Sequence, residues 1–296
     1  MIRTLVWGHG AWGGVLRMRV GEHAEYELVG IVDADPTKRS VARKIDSTSR
    51  VYANLIDAID ETQPDLVVVA TPSEAAPLAS ITALTLGASV LAAKPAAVST
   101  STAELMISAA DQSSTRLVVD YTMTMHPKWR LVKEARHSLG EVRFVDCVRT
   151  TSTSRSGADP LTDLAVHDLA LIVDLEGERE WRVRRSETTS PDAAALILDD
   201  DEVRACVLAK RTDARQERIV RVVFDHGHAL WDQLGDTLTI ASNHETTYHG
   251  PSPRDKDAVT LRLDETSRLL AARANDNRRA FLSVTRLLEE ARDVCA

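Results

Sequence analysis

The 296-residue sequence predicts an α/β protein with an N-terminal parallel-sheet domain and a C-terminal α/β domain built on a mainly antiparallel open sheet. Three observations predict this fold class. Short apolar runs alternate with helical patterns over the first 120 residues, which is typical of βαβ units. A glycine-rich turn follows the first apolar run. After residue 121, consecutive strand-like runs separated by turn residues indicate antiparallel pairing.

The first half of the chain contains five predicted strands, which are Thr4–Trp7, Glu27–Asp33, Leu66–Thr71, Ser89–Ala93 and Arg116–Asp120. Five predicted helices lie between or after them, which are Ala11–Val20, Thr37–Lys44, Leu55–Glu61, Ala75–Thr85 and Ser101–Gln112. Asp35-Pro36 and the Ser99/Ser101 cluster are plausible caps for two of these helices. The nearly continuous apolar runs favour strands that are covered on both faces.

The second half begins with a predicted helix at Pro127–Leu139, a strand at Glu141–Thr150, a polar loop at Thr151–Pro160 and a helix at Asp163–Leu175. Six predicted strands follow, which are Trp181–Glu187, Ala193–Leu198, Val203–Lys210, Arg218–Phe224, Ala229–Asp232 and Thr237–Ala241. A final helix is predicted at Arg278–Val294. We therefore expect a cofactor-binding domain over residues 1–120 and a domain for substrate binding and oligomerisation over residues 121–296.

Composition excludes several classes of protein. The hydrophobic content of 44% rules out a disordered chain, and no apolar run is long enough to span a membrane. A net charge of −8 with no basic run argues against a nucleic-acid partner. The N-terminal apolar stretch is too short for a signal peptide, so we expect a cytoplasmic protein. Cys147, Cys206 and Cys295 are widely separated, so we expect neither a disulfide framework nor a metal site.

The glycine-rich turn reads Gly8-His9-Gly10-Ala11-Trp12-Gly13 and lies between a predicted strand and a predicted helix. Gly8 permits the tight turn, Gly10 lets the backbone approach a pyrophosphate, and Gly13 lets the helix pack closely on the strand. The free N–H groups at the helix start attract phosphates. The pattern therefore predicts the dinucleotide-binding turn of a Rossmann domain.

An acidic residue is expected at the end of the second strand, and Asp33 lies there, 20 residues after Gly13. A carboxylate at this position accepts hydrogen bonds from ribose hydroxyls and repels a 2′-phosphate, so NAD is favoured. Lys38 and Arg39 lie close enough in sequence to leave NADP open. The alternative is a glycine turn without a cofactor, with Asp33 as an ordinary acid at a strand end.

Further motifs follow in a characteristic order: Ala70-Thr71-Pro72, Lys94-Pro95, and an Asp163–His167 pair. In this order the chain resembles the Gfo/Idh/MocA family, the glucose–fructose oxidoreductase and inositol dehydrogenase group. The resemblance implies NAD(P)-dependent redox chemistry at a carbinol carbon of a sugar, cyclitol or nucleotide-sugar. It assigns the family's lysine to Lys94 and its Asp–His pair to Asp163 and His167. It also places Thr71 and Pro72, with Lys94 and Pro95, beside the cofactor.

The chemistry of these residues agrees with that assignment. Lys94 can stabilise negative charge that develops on a carbonyl oxygen, and His167 can deliver a proton near neutral pH. Asp163 lies four residues before His167, so a regular helix would place both on one face. The structural alternatives are a helix cap for Asp163, a core position for His167 and an exposed loop position for Lys94.

The substrate side departs from the family pattern. Ala93 precedes Lys94 where relatives have Glu, and Thr124 stands where many have Arg. With Lys94, Asp163 and His167, we expect Tyr121 and His126 to contact the substrate. Met123 and Trp129 are predicted to pack in the core, and the loop at Thr151–Pro160 is equally consistent with a lid or a plain surface loop.

The leading hypothesis is an NAD(P)-dependent oxidoreductase acting on the carbinol or carbonyl carbon of a small polar, sugar-like substrate or a secondary metabolite. An imine reductase of the same family and a non-catalytic dinucleotide-binding regulator are alternatives, because fold does not fix function. A hydrolase or lyase that uses tightly held NAD transiently is a third. We expect a homodimer or homotetramer formed through the C-terminal sheet.

Overall fold

The computed structural model describes residues 1–45, 49–152, 159–177, 179–211, 216–253, 255–272 and 277–294, apart from the side chains of residues 188 and 189. Cys295 and residues 153–158 of the predicted polar loop lie outside the described residues. The chain divides into two compact units. Unit 1 comprises Met1–Tyr121 and Val259–Leu282, and unit 2 comprises Thr122–Ala258 and Ser283–Ala296. The functional roles expected of residues 1–120 and 121–296 stay predictions.

Unit 1 contains a six-stranded parallel sheet. Its strands are β1 (Ile2–Trp7), β2 (Tyr26–Val32), β3 (Val51–Tyr52), β4 (Leu66–Val69), β5 (Ser89–Ala93) and β6 (Leu117–Asp120). The sheet order is β3-β2-β1-β4-β5-β6. The chain reverses its direction of winding between β1 and β4, and ligands bind at the carboxyl edge of such a switch point. All residues of β4 and β6 are buried, which confirms strands covered on both faces.

Six helices accompany this sheet, which are α1 (Ala11–Glu22), α2 (Pro36–Ile45), α3 (Leu55–Thr62), α4 (Ala76–Thr85), α5 (Thr100–Gln112) and α9 (Ala258–Ala272). The predicted cap Ser99 accepts the N–H of Thr102 at 3.3 Å. The sequence analysis missed α9, which belongs to unit 1 although it lies late in the chain. Leu263 and Leu269 of α9 are buried in the unit 1 core, and the Tyr26 hydroxyl donates to the Leu263 carbonyl at 2.6 Å.

Unit 2 contains an eight-stranded sheet. Its strands are β7 (Val142–Thr151), β8 (Arg182–Ser190), β9 (Ala193–Asp199), β10 (Arg204–Arg211), β11 (Glu217–Phe224), β12 (Gly227–Asp232), β13 (Thr237–Ser242) and β14 (Thr246–His249). The order is β14-β13-β12-β11-β7-β10-β9-β8. Only the β7–β10 pair is parallel among these pairings, so the mainly antiparallel sheet is confirmed. The short strand β14 was not predicted.

Helices α6 (Pro127–Glu134), α7 (Arg136–Leu139) and α8 (Val166–Leu175) follow the crossover into unit 2, and α10 (Arg278–Asp293) ends the described chain. The predicted helix at Pro127–Leu139 is interrupted at Ala135, which lies between α6 and α7. The predicted helix at Asp163–Leu175 begins instead as a π-helix at Leu161–Ala165. Trp129 is fully buried, which confirms its predicted core position, and its indole donates to Asp174 at 2.7 Å.

No helix of the described residues is long and apolar enough to cross a membrane. In the same part of the chain, no group of three or more His, Cys, Asp or Glu side chains could hold a metal ion.

Candidate active site

The glycine-rich turn joins β1 to α1 in a geometry that only glycine allows at two positions. Gly8 has φ +96°, and a Cβ built on it would lie 2.5 Å from the carbonyl oxygen of Ala70. A Cβ on Gly13 would lie 1.7 Å from the carbonyl oxygen of Gly8. These two glycines therefore set the tight turn and the close packing of α1 on the sheet.

Gly10 differs, because a Cβ on it would meet no described atom within 4 Å. Gly10 is also the N-cap of α1, no side chain caps this helix end, and its first turn carries no acidic residue. The first N–H groups of α1, beginning at Ala11 and Trp12, are thus available to an anion. Open space above an uncapped helix start fits the pyrophosphate of a dinucleotide.

Asp33 follows β2 and has a buried side chain, with 6% of the residue exposed. Its Oδ2 accepts the backbone N–H of His9 at 2.7 Å, and its Oδ1 accepts the backbone N–H of Asp35 at 2.9 Å. A carboxylate oxygen has room for a second hydrogen bond, so Asp33 can hold the turn and still receive a ribose hydroxyl. The glycine turn and the acidic residue after β2, both predicted to bind the cofactor, are therefore in direct contact.

The His9 imidazole is buried, with 7% of the residue exposed, and both ring nitrogens lack a hydrogen-bond partner among the described residues. Burial lowers the pKa of His9, nearby Arg17 and Lys38 lower it further, and Asp33 opposes them. The ring is therefore neutral at pH 7, with one donor and one acceptor beside the glycine turn.

Arg39 does not present a free guanidinium at this site. Its Nη1 donates to the carbonyl oxygens of Asp33 at 2.8 Å and Ala34 at 2.7 Å. The two bonds commit this group to closing the turn after β2. Because Arg39 is held at this turn, it is less suited to bind the 2′-phosphate of NADP. This arrangement favours NAD as the cofactor.

Two further pairs of predicted cofactor residues lie at the sheet edge that carries the glycine turn. Thr71 and Pro72 follow β4, and Lys94 and Pro95 follow β5; the carboxyl ends of both strands lie at this edge. The Thr71 hydroxyl oxygen is buried and has no hydrogen-bond partner among the described residues. The Pro72 carbonyl accepts the N–H groups of Ala75 and Ala76 and so begins α4. Lys94 is half-buried, and its peptide bond to Pro95 is cis. Unit 1 therefore brings its predicted cofactor residues to one edge.

In unit 2, Asp163 lies in the π-helix and His167 lies in the first turn of α8. Both side chains are half-buried. The prediction that Asp163 and His167 share one helix face assumed a regular α-helix. The wider turn of the π-helix changes the angle between the two side chains from the angle that a regular helix would give. Asp163 Oδ2 accepts a hydrogen bond from Arg211 Nη2 at 2.8 Å.

Arg211 and Arg149 are buried cations that the sequence analysis missed. Arg149 donates two hydrogen bonds to Asp168, the residue after His167, from Nε at 2.9 Å and from Nη2 at 2.7 Å. Strand periodicity could have revealed them. Buried and exposed positions alternate along β10, so an arginine at 211 falls on the covered face that Ala205, Val207 and Ala209 share.

Tyr121 is a buried residue, and His126 caps a helix. Tyr121 is 5% exposed, and its burial raises the pKa of the phenol. His126 is the N-cap of α6, since its Nδ1 accepts the N–H of Lys128 at 3.2 Å. Its ring packs on Trp231 with centroids 4.9 Å apart. Burial lowers the pKa of His126, against the attraction of Asp236. Substrate contact by either residue stays a prediction.

The strand order, the glycine geometry and the buried acid after β2 together define a dinucleotide-binding protein. Residues 2–121 match the family model described as Gfo/Idh/MocA, an oxidoreductase family with an NAD-binding Rossmann fold. Over residues 2–121 the chain is therefore similar to an oxidoreductase family with an NAD-binding Rossmann fold, which agrees with the predicted family, enzyme class and cofactor.

One similar protein, from Amycolatopsis mediterranei, is named as an oxidoreductase subunit of a UDP-kanosamine synthase. It is 25% identical over 89% of this chain and 86% of its own length. A UDP-N-acetylglucosamine 3-dehydrogenase from Acidithiobacillus ferrooxidans superposes with a TM-score of 0.86 at 22% identity, covering 99% of this chain and 97% of its own. A 3-ketoreductase from Actinomadura kijaniata, in complex with NADP and TDP-benzene, superposes with a TM-score of 0.88 at 14% identity, covering 99% and 98%. At these identities the two structures show a shared fold.

Proposed function

We propose that this protein transfers a hydride between a nicotinamide dinucleotide and a carbinol or carbonyl carbon of a sugar-like substrate. In this proposal residues 1–120 hold the cofactor, and residues 121–296 supply the substrate-binding surface. Lys94, Asp163 and His167 carry the chemistry. Tyr121 and His126 are assigned to substrate contact.

The observation that carries the proposal is the position of Lys94. It directly follows β5, at the sheet edge where the glycine turn after β1 and Thr71 after β4 also lie. Ligands of open parallel sheets bind outside the carboxyl ends of the strands. A half-buried ammonium at that edge is suited to an oxygen that gains negative charge.

When bound, the reduced nicotinamide supplies a hydride to the carbonyl carbon. The Lys94 ammonium stabilises the negative charge that develops on the carbonyl oxygen as its π bond breaks. The His167 imidazolium gives that oxygen a proton, so the product is an alcohol and the imidazole is left neutral. In the oxidation direction the neutral imidazole takes the proton back. Asp163 keeps residues 163–168, the His167 segment, in place.

Support for a sugar substrate comes from the similar proteins. One is a UDP-N-acetylglucosamine 3-dehydrogenase, one is a 3-ketoreductase, and one is named for a UDP-kanosamine synthase. Two of these names contain a UDP-linked sugar, and the third denotes a ketone reductase. We therefore propose a secondary hydroxyl or ketone of a free or nucleotide-linked sugar as the reacting group.

The test is turnover of purified protein with NAD⁺ or NADP⁺ and a panel of sugars, with UDP-N-acetylglucosamine as the first nucleotide-sugar. Formation of reduced nicotinamide is followed by its absorbance. Lys94→Ala and His167→Ala are compared with Lys44→Ala and His137→Ala, which replace exposed residues of the same type. We expect the first two variants to lose turnover and keep cofactor affinity within about threefold.

Normal turnover by Lys94→Ala and His167→Ala would refute the catalytic assignment. No turnover by the wild type with any sugar, together with tight cofactor binding, would favour a non-catalytic regulator. Turnover with cyclic imines but not with ketones would favour the imine reductase instead.

A further inference from the structure

We infer that Arg149 and Arg211 form an arginine clamp that fixes the orientation of His167 by holding the carboxylates on either side of it. Both arginines are positioning residues, since they contact acids of the helical segment. The inference rests on the proposed function only where it assigns proton transfer to His167.

The contacts flank His167 along the chain. Asp163 lies four residues before it and accepts from Arg211 at 2.8 Å. Asp168 lies one residue after it and accepts two hydrogen bonds from Arg149, at 2.9 and 2.7 Å. The π-helix at Leu161–Ala165 and the first turn of α8 are therefore each tied to the sheet by a charged pair.

The two arginines come from neighbouring strands. Strands β7 and β10 pair in parallel, and Arg149 is opposite Ala209 while Arg211 is opposite Thr151. Ala209 and Arg211 are two residues apart, so Arg149 and Arg211 project from the same face of the sheet. The π-helix and α8 both pack against β10. Strand register thus determines where each end of the His167 segment is held.

Burial makes the clamp rigid. The side chains of Arg149 and Arg211 are each 4% exposed, and Asp168 is 1% exposed. Arg149 Nη2 also donates to Gln233 at 3.2 Å. Gln233 lies in the turn between β12 and β13, so this turn holds the guanidinium as well. A planar guanidinium with two parallel bonds restricts rotation of its carboxylate more than a lysine ammonium does.

Stability alone does not explain this arrangement. Apolar residues of similar volume stabilise a buried position as well as a buried ion pair does, or better. The buried Arg149–Asp168 pair and the Arg211–Asp163 pair, whose carboxylate is 22% exposed, lie on either side of one half-buried imidazole and instead specify geometry. A displacement of about 1 Å at a catalytic group can cost roughly a hundredfold in rate, which is the property that the clamp protects.

The test observes His167 directly in the full chain without substrate. Protein labelled with ¹³C at the histidine ring carbons gives resonances from 9 imidazoles, and His167→Gln identifies the relevant one. Arg211→Gln, Arg211→Lys and Arg149→Lys are compared with Arg221→Gln. Arg221 lies on β11 and approaches Asp146 of β7 at 3.8 Å, outside the segment, so it is a control for the loss of a more exposed arginine of the same sheet.

We expect the His167 resonance to shift and broaden in the clamp variants, with less change in the lysine variants, and to stay unchanged in Arg221→Gln. The resonances of histidines remote from the segment should coincide with the wild type, which excludes general unfolding. Arg149→Lys and Arg211→Lys retain a cation and keep the test decisive if Arg211→Gln does not fold. A His167 resonance of wild-type position and width in the folded clamp variants would overturn the inference.

Turnover provides the second readout. With the sugar that the wild type turns over, Arg211→Gln should lower kcat by roughly 10- to 100-fold and change KM by less than about threefold. Arg211→Lys should recover part of this loss. An unchanged kcat in folded Arg211→Gln would contradict the clamp. If the wild type turns over no sugar, the proposed function fails, and the resonance still decides the clamp.

Discussion

Asp33 accepts the backbone N–H of His9 at 2.7 Å, which joins the end of β2 to the glycine turn after β1. The same carboxylate accepts the N–H of Asp35 through its other oxygen at 2.9 Å. One buried acid therefore shapes the turn, and it is the residue that we assign to the ribose hydroxyls. Loss of this side chain should affect both the turn and the choice of cofactor.

Asp33→Ala should raise the Kd for NADH by roughly 10- to 100-fold, because a charged hydrogen-bond acceptor is removed. The Kd for NADPH should rise less, because repulsion of its 2′-phosphate is removed as well. Titrations followed by tryptophan fluorescence measure both constants. The control is Asp60→Ala, which removes an exposed acid of α3. An unchanged ratio of the two constants would remove Asp33 from its assigned role.

Three glycines near the turn should respond differently to alanine. A Cβ on Gly10 or on Gly14 meets nothing within 4 Å, so both variants should fold. Gly10→Ala fills the space assigned to the pyrophosphate and should weaken NADH binding by at least roughly tenfold. Gly14→Ala should leave NADH binding unchanged and raise the free energy of unfolding by up to about 1 kcal/mol.

Gly13→Ala should destabilise the protein by about 2 kcal/mol or more, because the new Cβ would lie 1.7 Å from the Gly8 carbonyl oxygen. Urea unfolding and NADH titration of the three variants provide the comparison. Equal NADH affinities for Gly10→Ala and Gly14→Ala would show that no ligand approaches Gly10.

His9 should make stability depend on pH. Burial lowers the pKa of the folded imidazole, whereas the unfolded one takes up a proton near pH 6.5. The unfolded state then binds more protons as the pH falls, so the contribution of neutral His9 is present above about pH 6.5 and lost below it.

Between about pH 7.5 and about pH 5, the free energy of unfolding should therefore fall more for the wild type than for His9→Gln. Urea unfolding at the two pH values measures this. His126 has a lowered pKa too and is present in both proteins, so it cancels from the comparison. Parallel losses in wild type and variant would show that His9 titrates alike in both states.

Arg149→Ala should cost about 3–5 kcal/mol of unfolding free energy, because it leaves the Asp168 carboxylate buried without its cation. Arg221→Ala should cost less than about 1 kcal/mol, since its pair with Asp146 is partly exposed and 3.8 Å long. Denaturant unfolding of the two variants makes the comparison. Similar losses of unfolding free energy in both variants would mean that the buried Arg149–Asp168 pair matters no more to stability than the exposed Arg221–Asp146 pair.

The parallel half of the fold could be predicted closely because its signals are local. The run at β4 is apolar throughout, and Asp33 and the glycine turn have the spacing of one supersecondary unit. Helix α9 was missed because its sequence is only weakly amphipathic, and because Leu263 is buried in a core cluster whose other members, such as Val6, are distant in sequence. Strand β3 has only two residues, too few for any periodicity.

Within the candidate site, the roles of the residues that the sequence proposes stay predictions, and their hydrogen-bond partners could not be predicted. Motif order proposes Lys94 and His167, whereas the hydrogen bond from Arg211 on β10 to Asp163 joins residues that are 48 positions apart in sequence. Register couples residues far apart in sequence, which a local pattern does not encode. The π turn at Asp163 likewise has no sequence signature that distinguishes it from a regular helix start.

Titration of the purified wild-type protein with NADH and with NADPH, followed by tryptophan fluorescence, tests the central claim most directly. Trp12 lies in the first turn of α1, within the glycine-rich turn, and is 39% exposed, so it reports on ligands there. We predict saturable binding of both dinucleotides, with the lower Kd for NADH. No saturable change with either one, in protein shown to be folded, would contradict the assignment of this turn as a dinucleotide site.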